Sequence, residues 1–163
     1  MAQAIGSLRR RDLLSAFGPL ALWIGVIFFL SSSLGSMSHT SMLIRPVLEL
    51  LFPLAPDETL RLYHAYVRKA AHFIEYAVLA AFAVRAFSSL TNRQIRTFLY
   101  GLLTVVLVSV IDEVNQSFDA SRTGSLYDAL IDISGGISML AILWIWQGRI
   151  GGPAIDSDLK PNN

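Results

Sequence analysis

The stretch RKAAHFIEYAVLAAFAV, residues 68–84, decides the fold. From Tyr76 to Val84 it is apolar on every side of a helix, not on one face, which marks a segment surrounded by other apolar matter. Its first half carries Arg68, Lys69, His72 and Glu75, a polar cluster at the head of a lipid-compatible run.

Working outward from this block, three more apolar runs appear. FGPLALWIGVIFFLSSSL covers residues 17–34, and others run over about 96–114 and 126–147, with the opening block covering about 65–87. Each approaches the ~20 residues that cross a ~30 Å hydrocarbon layer. In lipid the backbone must satisfy its own polar groups, so each crossing is expected to be an α-helix. Composition agrees, with 53% hydrophobic and only 15% charged residues, against roughly 25% charged in soluble domains. The fold class is therefore all-α, a polytopic membrane protein built as a four-helix transmembrane bundle. At 163 residues there is room for one such domain.

Its expected limits are 16–148, preceded by a basic segment 1–15 and followed by the Gly/Pro-rich tail GGPAIDSDLKPNN, read as disordered within 149–163. The first run also has the charge pattern of a secretory signal, Arg9–Arg11 before an apolar stretch. It is long for one, and an uncleaved span is expected. Between the first two spans, MLIRPVLELLFPL (42–54) is apolar but too short to cross. With Arg45 and Glu49 spaced i, i+4 it reads as a short interfacial helix or a lid over the bundle mouth.

Several classes are excluded. Net charge is +1 without a basic patch interleaved with aromatics, so a nucleic-acid partner is not expected. Cysteine is absent, which removes disulfides, thiolate metal sites and cysteine nucleophiles. No cofactor is evident, although the polar residues below suit a divalent metal.

Orientation follows from lysine and arginine. With four spans, both termini share a side. That side collects Arg9, Arg10, Arg11, Arg85, Arg93, Arg96, Arg149 and Lys160, whereas Arg45, Arg61, Arg68, Lys69 and Arg122 fall opposite. Both termini are thus expected in the cytoplasm. The head of the second span, the end of the third and the start of the fourth then meet on the outer side.

The unusual polar residues all lie at that end. His72, Glu75 and Tyr76 stand at i, i+3 and i+4 and share a helix face, with Lys69 one turn earlier. A helix starting near Arg68 would set Glu75 ~10 Å below its head. The third span ends in DEVNQSFDASR (112–122), which carries Asp112, Glu113, Gln116 and Arg122. Asp112 and Gln116 share a face, and Ser109 lies a turn below. Carboxylates at a helix C-terminus oppose the dipole, and Arg122 or Arg68 could offset this. The fourth span brings Asp128 and Asp132 on one stripe that runs into Gly135 and Gly136. This small-residue patch would admit a neighbouring helix at close range.

Three readings fit these residues. In the first, ion pairs only lock helix ends. In the second, His72, Glu75, Asp112 and Asp128 bind Zn²⁺ or Mn²⁺. In the third, His72 exchanges protons, oriented by Glu75 or Asp112, while Lys69 and Arg122 hold an anionic group. Any hydrolysis would use activated water, since no serine has a nucleophile's setting. Transport is disfavoured, because the third span offers only Thr104 and Ser109 between Phe98 and Ile111.

These motifs resemble the VanZ-like family of small bacterial membrane proteins. Lys69, His72, Phe73 and Tyr76 match its Lys-x-x-His-Phe-x-x-Tyr element. Asp112, Glu113, Gln116, Phe118, Arg122 and Asp128 match its Asp-Glu-x-x-Gln-x-Phe…Arg…Asp element. FFLSSSLGS is similar to the family's ending of the first span. Asp132 departs from the pattern, which commonly has Asn there. The resemblance implies a four-helix membrane bundle, and that some members confer modest resistance to teicoplanin, a lipoglycopeptide acting on cell-wall precursors.

The expected function is binding of, or action on, a lipid-linked or cell-wall-related envelope molecule, with membrane lipids as surroundings. The alternative is a scaffold without catalysis. In the first case His72, Glu75, Asp112, Glu113 and Asp128 are the candidate catalytic groups. Lys69, Tyr76, Gln116 and Arg122 are the candidate binding groups.

Overall fold

The computed structural model describes residues 10–32, 37–118 and 125–150, and among them it contains helices and no strand. The helices are α1 (Arg10–Leu30), α2 (Met37–Leu51), α3 (Asp57–Ser88), α4 (Gln94–Ser117) and α5 (Leu126–Ile150). Four of them, all but α2, are long and apolar enough to cross a membrane. The basic segment reaches into the first helix, which begins at Arg10. The tail expected from residue 149 loses two residues to α5, and from residue 151 it lies outside the described residues.

α3 is the axis of the bundle. It touches every other helix and packs most extensively against α5. Its inner stripe, Tyr76, Leu79, Ala80, Ala83 and Val84, is buried against Leu20 and Ile27 of α1, Val105 and Val108 of α4, and Leu140 of α5. The alanines keep this stripe thin, so three helices can close on it. Outward faces remain apolar and exposed, including Leu22, Phe29, Leu103, Leu107, Ile142 and Ile145. On a soluble monomer such continuous apolar surface would be anomalous; on a bundle in lipid it is the surface that meets acyl chains. The first span belongs to the bundle, since Trp23 Nε1 donates to the Glu75 carbonyl oxygen at 2.9 Å.

Two glycines set the closest approach. A Cβ on Gly135 would run into the backbone carbonyl of Phe73, and one on Gly136 would come within 2.5 Å of Val105 Cγ1. The small-residue patch of the last span therefore seats α5 directly on the α3 backbone, one residue from His72.

α3 starts at Asp57, about two turns before the apolar block begins. Asp57 and Glu58 occupy its first turn, where carboxylates favour the helix dipole. The depth expected for Glu75 is corrected accordingly, because this residue lies ~27 Å along α3. The site still lies near one end of the bundle. Asp112 is five residues from the end of α4 and Asp132 six from the start of α5, ~8–9 Å in each case.

The overhanging start of α3 carries α2. Arg45 bridges Glu49 and Asp57 at 2.7 Å each, and Thr40 Oγ1 lies 3.0 Å from Nε2 of the buried His64. Met42, Leu43, Val47, Leu50 and Leu51 of α2 stay exposed, as a helix lying along a membrane interface requires.

Candidate functional site

Where α3, α4 and α5 meet, one turn or two in from the loop end, seven polar side chains gather: Ser31, His72, Tyr76, Ser109, Asp112, Gln116 and Asp132. Asp112 and Asp132 are both 0% exposed. Asp112 Oδ2 accepts from Ser31 Oγ at 2.7 Å and from Gln116 Nε2 at 2.9 Å, and Gln116 also donates to Ser31. The end of α1 and the last turn of α4 thus hold this carboxylate in one orientation. These side-chain donors offset the charge that the helix C-terminus disfavours.

Asp132 faces the other way. Its Oδ1 lies 3.4 Å from His72 Nδ1, and its Oδ2 lies 3.4 Å from Ser109 Oγ, which also reaches the Ala129 carbonyl at 3.3 Å. These contacts are long for a charged acceptor, which normally sits at ~2.7–2.9 Å from an N–H donor. Neither His72 Nδ1 nor Asp132 Oδ1 makes a hydrogen bond to the described residues. Tyr76, one turn beyond His72, is 0% exposed, and its hydroxyl is likewise without a hydrogen-bond partner among them. One donor atom each from His72, Asp112 and Asp132 lies within 4.8 Å of the others, so this trio could hold a metal ion.

Other sequence candidates are distributed around this centre. Lys69 pairs with Asp128 across the α3–α5 interface, both partly exposed, and Lys69 Nζ lies 4.8 Å from the Tyr127 ring centre. Asp128 is therefore engaged by Lys69, whereas Asp132, one turn further, groups with His72 and Asp112; the set expected from the sequence is His72, Glu75, Asp112 and Asp128. Glu113 Oε2 accepts from the Ser125 backbone N–H at 2.6 Å, immediately before α5. A carboxylate there satisfies a helix-start donor and complements the dipole. Glu75 lines a neighbouring cavity with Arg68 and His72. Arg122 lies outside the described residues.

Sequence reasoning did not select Ser31 or Asp132 as site residues. A serine closing the first span was the available signal for Ser31. Asp132 stood out as a polar residue on the Asp128 stripe and as a departure from the family pattern.

Four helices of membrane-spanning length around a histidine–carboxylate cluster define a small multi-pass membrane protein. The family model described as VanZ/LLP1 matches residues 17–147, from the first span into the last, and the chain belongs to that family. No match to the chain was found among curated proteins or among solved structures.

Proposed function

We propose that this protein is a bacterial inner-membrane protein with both termini in the cytoplasm, whose outward-facing site binds the polar end of an amphiphilic envelope molecule. The observation that carries this reading is a cavity of about 130 Å³ between the end of α1, α2 and α3. Arg68, His72 and Glu75 line one part of it, and Leu30, Ile44 and Val67 line the rest. The cavity is partly open and has room for a compact polar headgroup. The apolar wall suits the first carbons of a lipid, while Arg68 supplies a cation for a phosphate or carboxylate. α2 roofs the cavity from the interface, so a ligand would enter from the membrane surface. Within this reading, the link between members of the family and teicoplanin resistance would act through a cell-wall precursor or the lipoglycopeptide itself.

The test uses purified protein in nanodiscs, titrated separately with anionic phospholipid headgroup analogues, a lipid-linked cell-wall precursor and a lipoglycopeptide. At least one class is expected to bind, and Arg68→Gln and His72→Ala are each expected to weaken it about tenfold or more, the loss of one charge-assisted hydrogen bond. Binding of no class, or binding unchanged in both variants, refutes the reading.

The Lys69–Asp128 pair supports a second reading, a scaffold whose charges tie α3 to α5. Under it, no ligand binds, and Lys69→Gln lowers the melting temperature in detergent.

A further inference from the structure

We infer that His72, Asp112 and Asp132 form the binding site of one divalent ion of zinc type, inside the bundle where α3, α4 and α5 meet. The inference begins with charge. Asp132 is 0% exposed, and an ionised carboxylate removed from water requires compensation costing several kcal/mol if absent. Among the described residues the only ionisable base paired with it is His72. Lys69 is engaged by Asp128, and Arg45 by Glu49 and Asp57. A second buried carboxylate, Asp112, belongs to the same cluster.

Geometry adds that the hydrogen bond is poorly made while the donors are spaced as around an ion. The His72 Nδ1–Asp132 Oδ1 separation of 3.4 Å exceeds the ~2.7–2.9 Å of a charge-assisted hydrogen bond. It matches one edge of a tetrahedron with arms of ~2.1 Å, the length of zinc bonds to histidine nitrogen and carboxylate oxygen. The Asp112 donor completes a trio whose atoms all lie within 4.8 Å of one another, so small side-chain rotations would close the remaining edges. An octahedral ion with the same bond length would set adjacent donors closer, at ~3.0 Å. One imidazole and two carboxylates form a borderline donor set of the kind zinc accepts.

The surroundings are those of a ligand set held in place. Ser31 and Gln116 orient Asp112, and Ser109 lies against the far oxygen of Asp132. Hydrogen bonds of this kind to ligating carboxylates fix their direction and raise affinity. Independently, the Tyr76 hydroxyl is fully buried one turn beyond His72 without a hydrogen-bond partner among the described residues. Within this proposal, a metal-bound water would give that hydroxyl the partner it lacks. Entry is provided as well, since His72 also lines the cavity beside Arg68 and Glu75. The ion would thus sit behind the proposed headgroup site, and its presence is measurable without any organic ligand.

The experiment uses the full chain without a histidine tag, purified in detergent, stripped with a chelator, and then supplied with Zn²⁺, Mn²⁺, Mg²⁺ or Co²⁺. Elemental analysis after desalting should give about one Zn²⁺ per chain, with little Mg²⁺ retained. Co²⁺ should give the intense visible absorption of a tetrahedral site. Asp132→Asn, which keeps size and shape, should lose at least tenfold in Zn²⁺ affinity and most of the Zn²⁺-induced rise in melting temperature. Wild-type protein that retains no stoichiometric Zn²⁺ and develops no tetrahedral Co²⁺ spectrum overturns the inference, whatever the variants do. So does an Asp132→Asn protein that binds Zn²⁺ as tightly as wild type.

Discussion

Gly135→Ala is expected to cost about 3 kcal/mol or more of stability, at or beyond the upper end of what one added methyl in a packed core causes. The added carbon would meet the Phe73 carbonyl, which is backbone and cannot rotate away. Relief requires α5 to move off α3, and the same movement opens the gap between Asp132 and His72. The neighbouring glycines form a graded control series. At Gly136 the obstacle is the Val105 side chain, and at Gly101 it is Leu140 Cδ2 at 3.2 Å. Leu140 can adjust, so Gly101→Ala should cost least of the three. Val105 is β-branched and fully buried with both methyls close, so Gly136→Ala should cost more, yet less than the backbone clash at Gly135. At Gly25 nothing lies within 4 Å, and alanine there should be neutral or stabilise the helix by up to ~1 kcal/mol. Melting temperatures in one detergent should therefore fall in the order Gly25→Ala, Gly101→Ala, Gly136→Ala, Gly135→Ala. If Gly135→Ala melts like wild type, α5 does not rest on the α3 backbone.

That contact also explains which parts of the site could be read from the chain alone. Four apolar runs of spanning length identify four helices, and antiparallel threading brings His72, Asp112 and Gln116 to one end. Both inferences need only hydrophobicity and connectivity. Choosing between Asp128 and Asp132 as the partner of His72 needs the axial offset of α5 against α3. The two aspartates differ by one turn, ~5.4 Å, and the offset is set by where Gly135 meets Phe73. No periodicity encodes that distance. The start of α3 was hidden for a different reason. Asp57, Glu58 and Arg61 interrupt the apolar pattern, yet they extend the helix into the aqueous interface, where Asp57 anchors Arg45 of α2. Ser31 was obscured because it lies beyond the last apolar turn of α1 and becomes functional only when Asp112 arrives from α4.

His72→Ala is expected to destabilise the metal-free bundle by about 3–5 kcal/mol, the usual effect of removing one partner from a buried ionic pair. The cost arises less from the lost contact, which at 3.4 Å is weak, than from Asp132 left buried without its base. The second substitution should therefore rescue the first. In His72→Ala with Asp132→Asn, no charge remains to be compensated at that position, and the asparagine amide can still pair with Ser109, which lies against Asp132 now. The double variant should recover more than half of the lost stability, a coupling of about 2 kcal/mol or more between residues on different helices. Measuring all four members of the cycle in chelator separates this effect from metal uptake, which would add to wild type alone. A double variant as unstable as His72→Ala would assign the loss to the cavity left by the imidazole. Full additivity would mean that Asp132 is neutral in the folded protein. Recovery instead identifies a charge held inside the bundle by its partner, which is the condition both a proton-exchanging site and a metal site must meet before either can act on a ligand at the membrane surface.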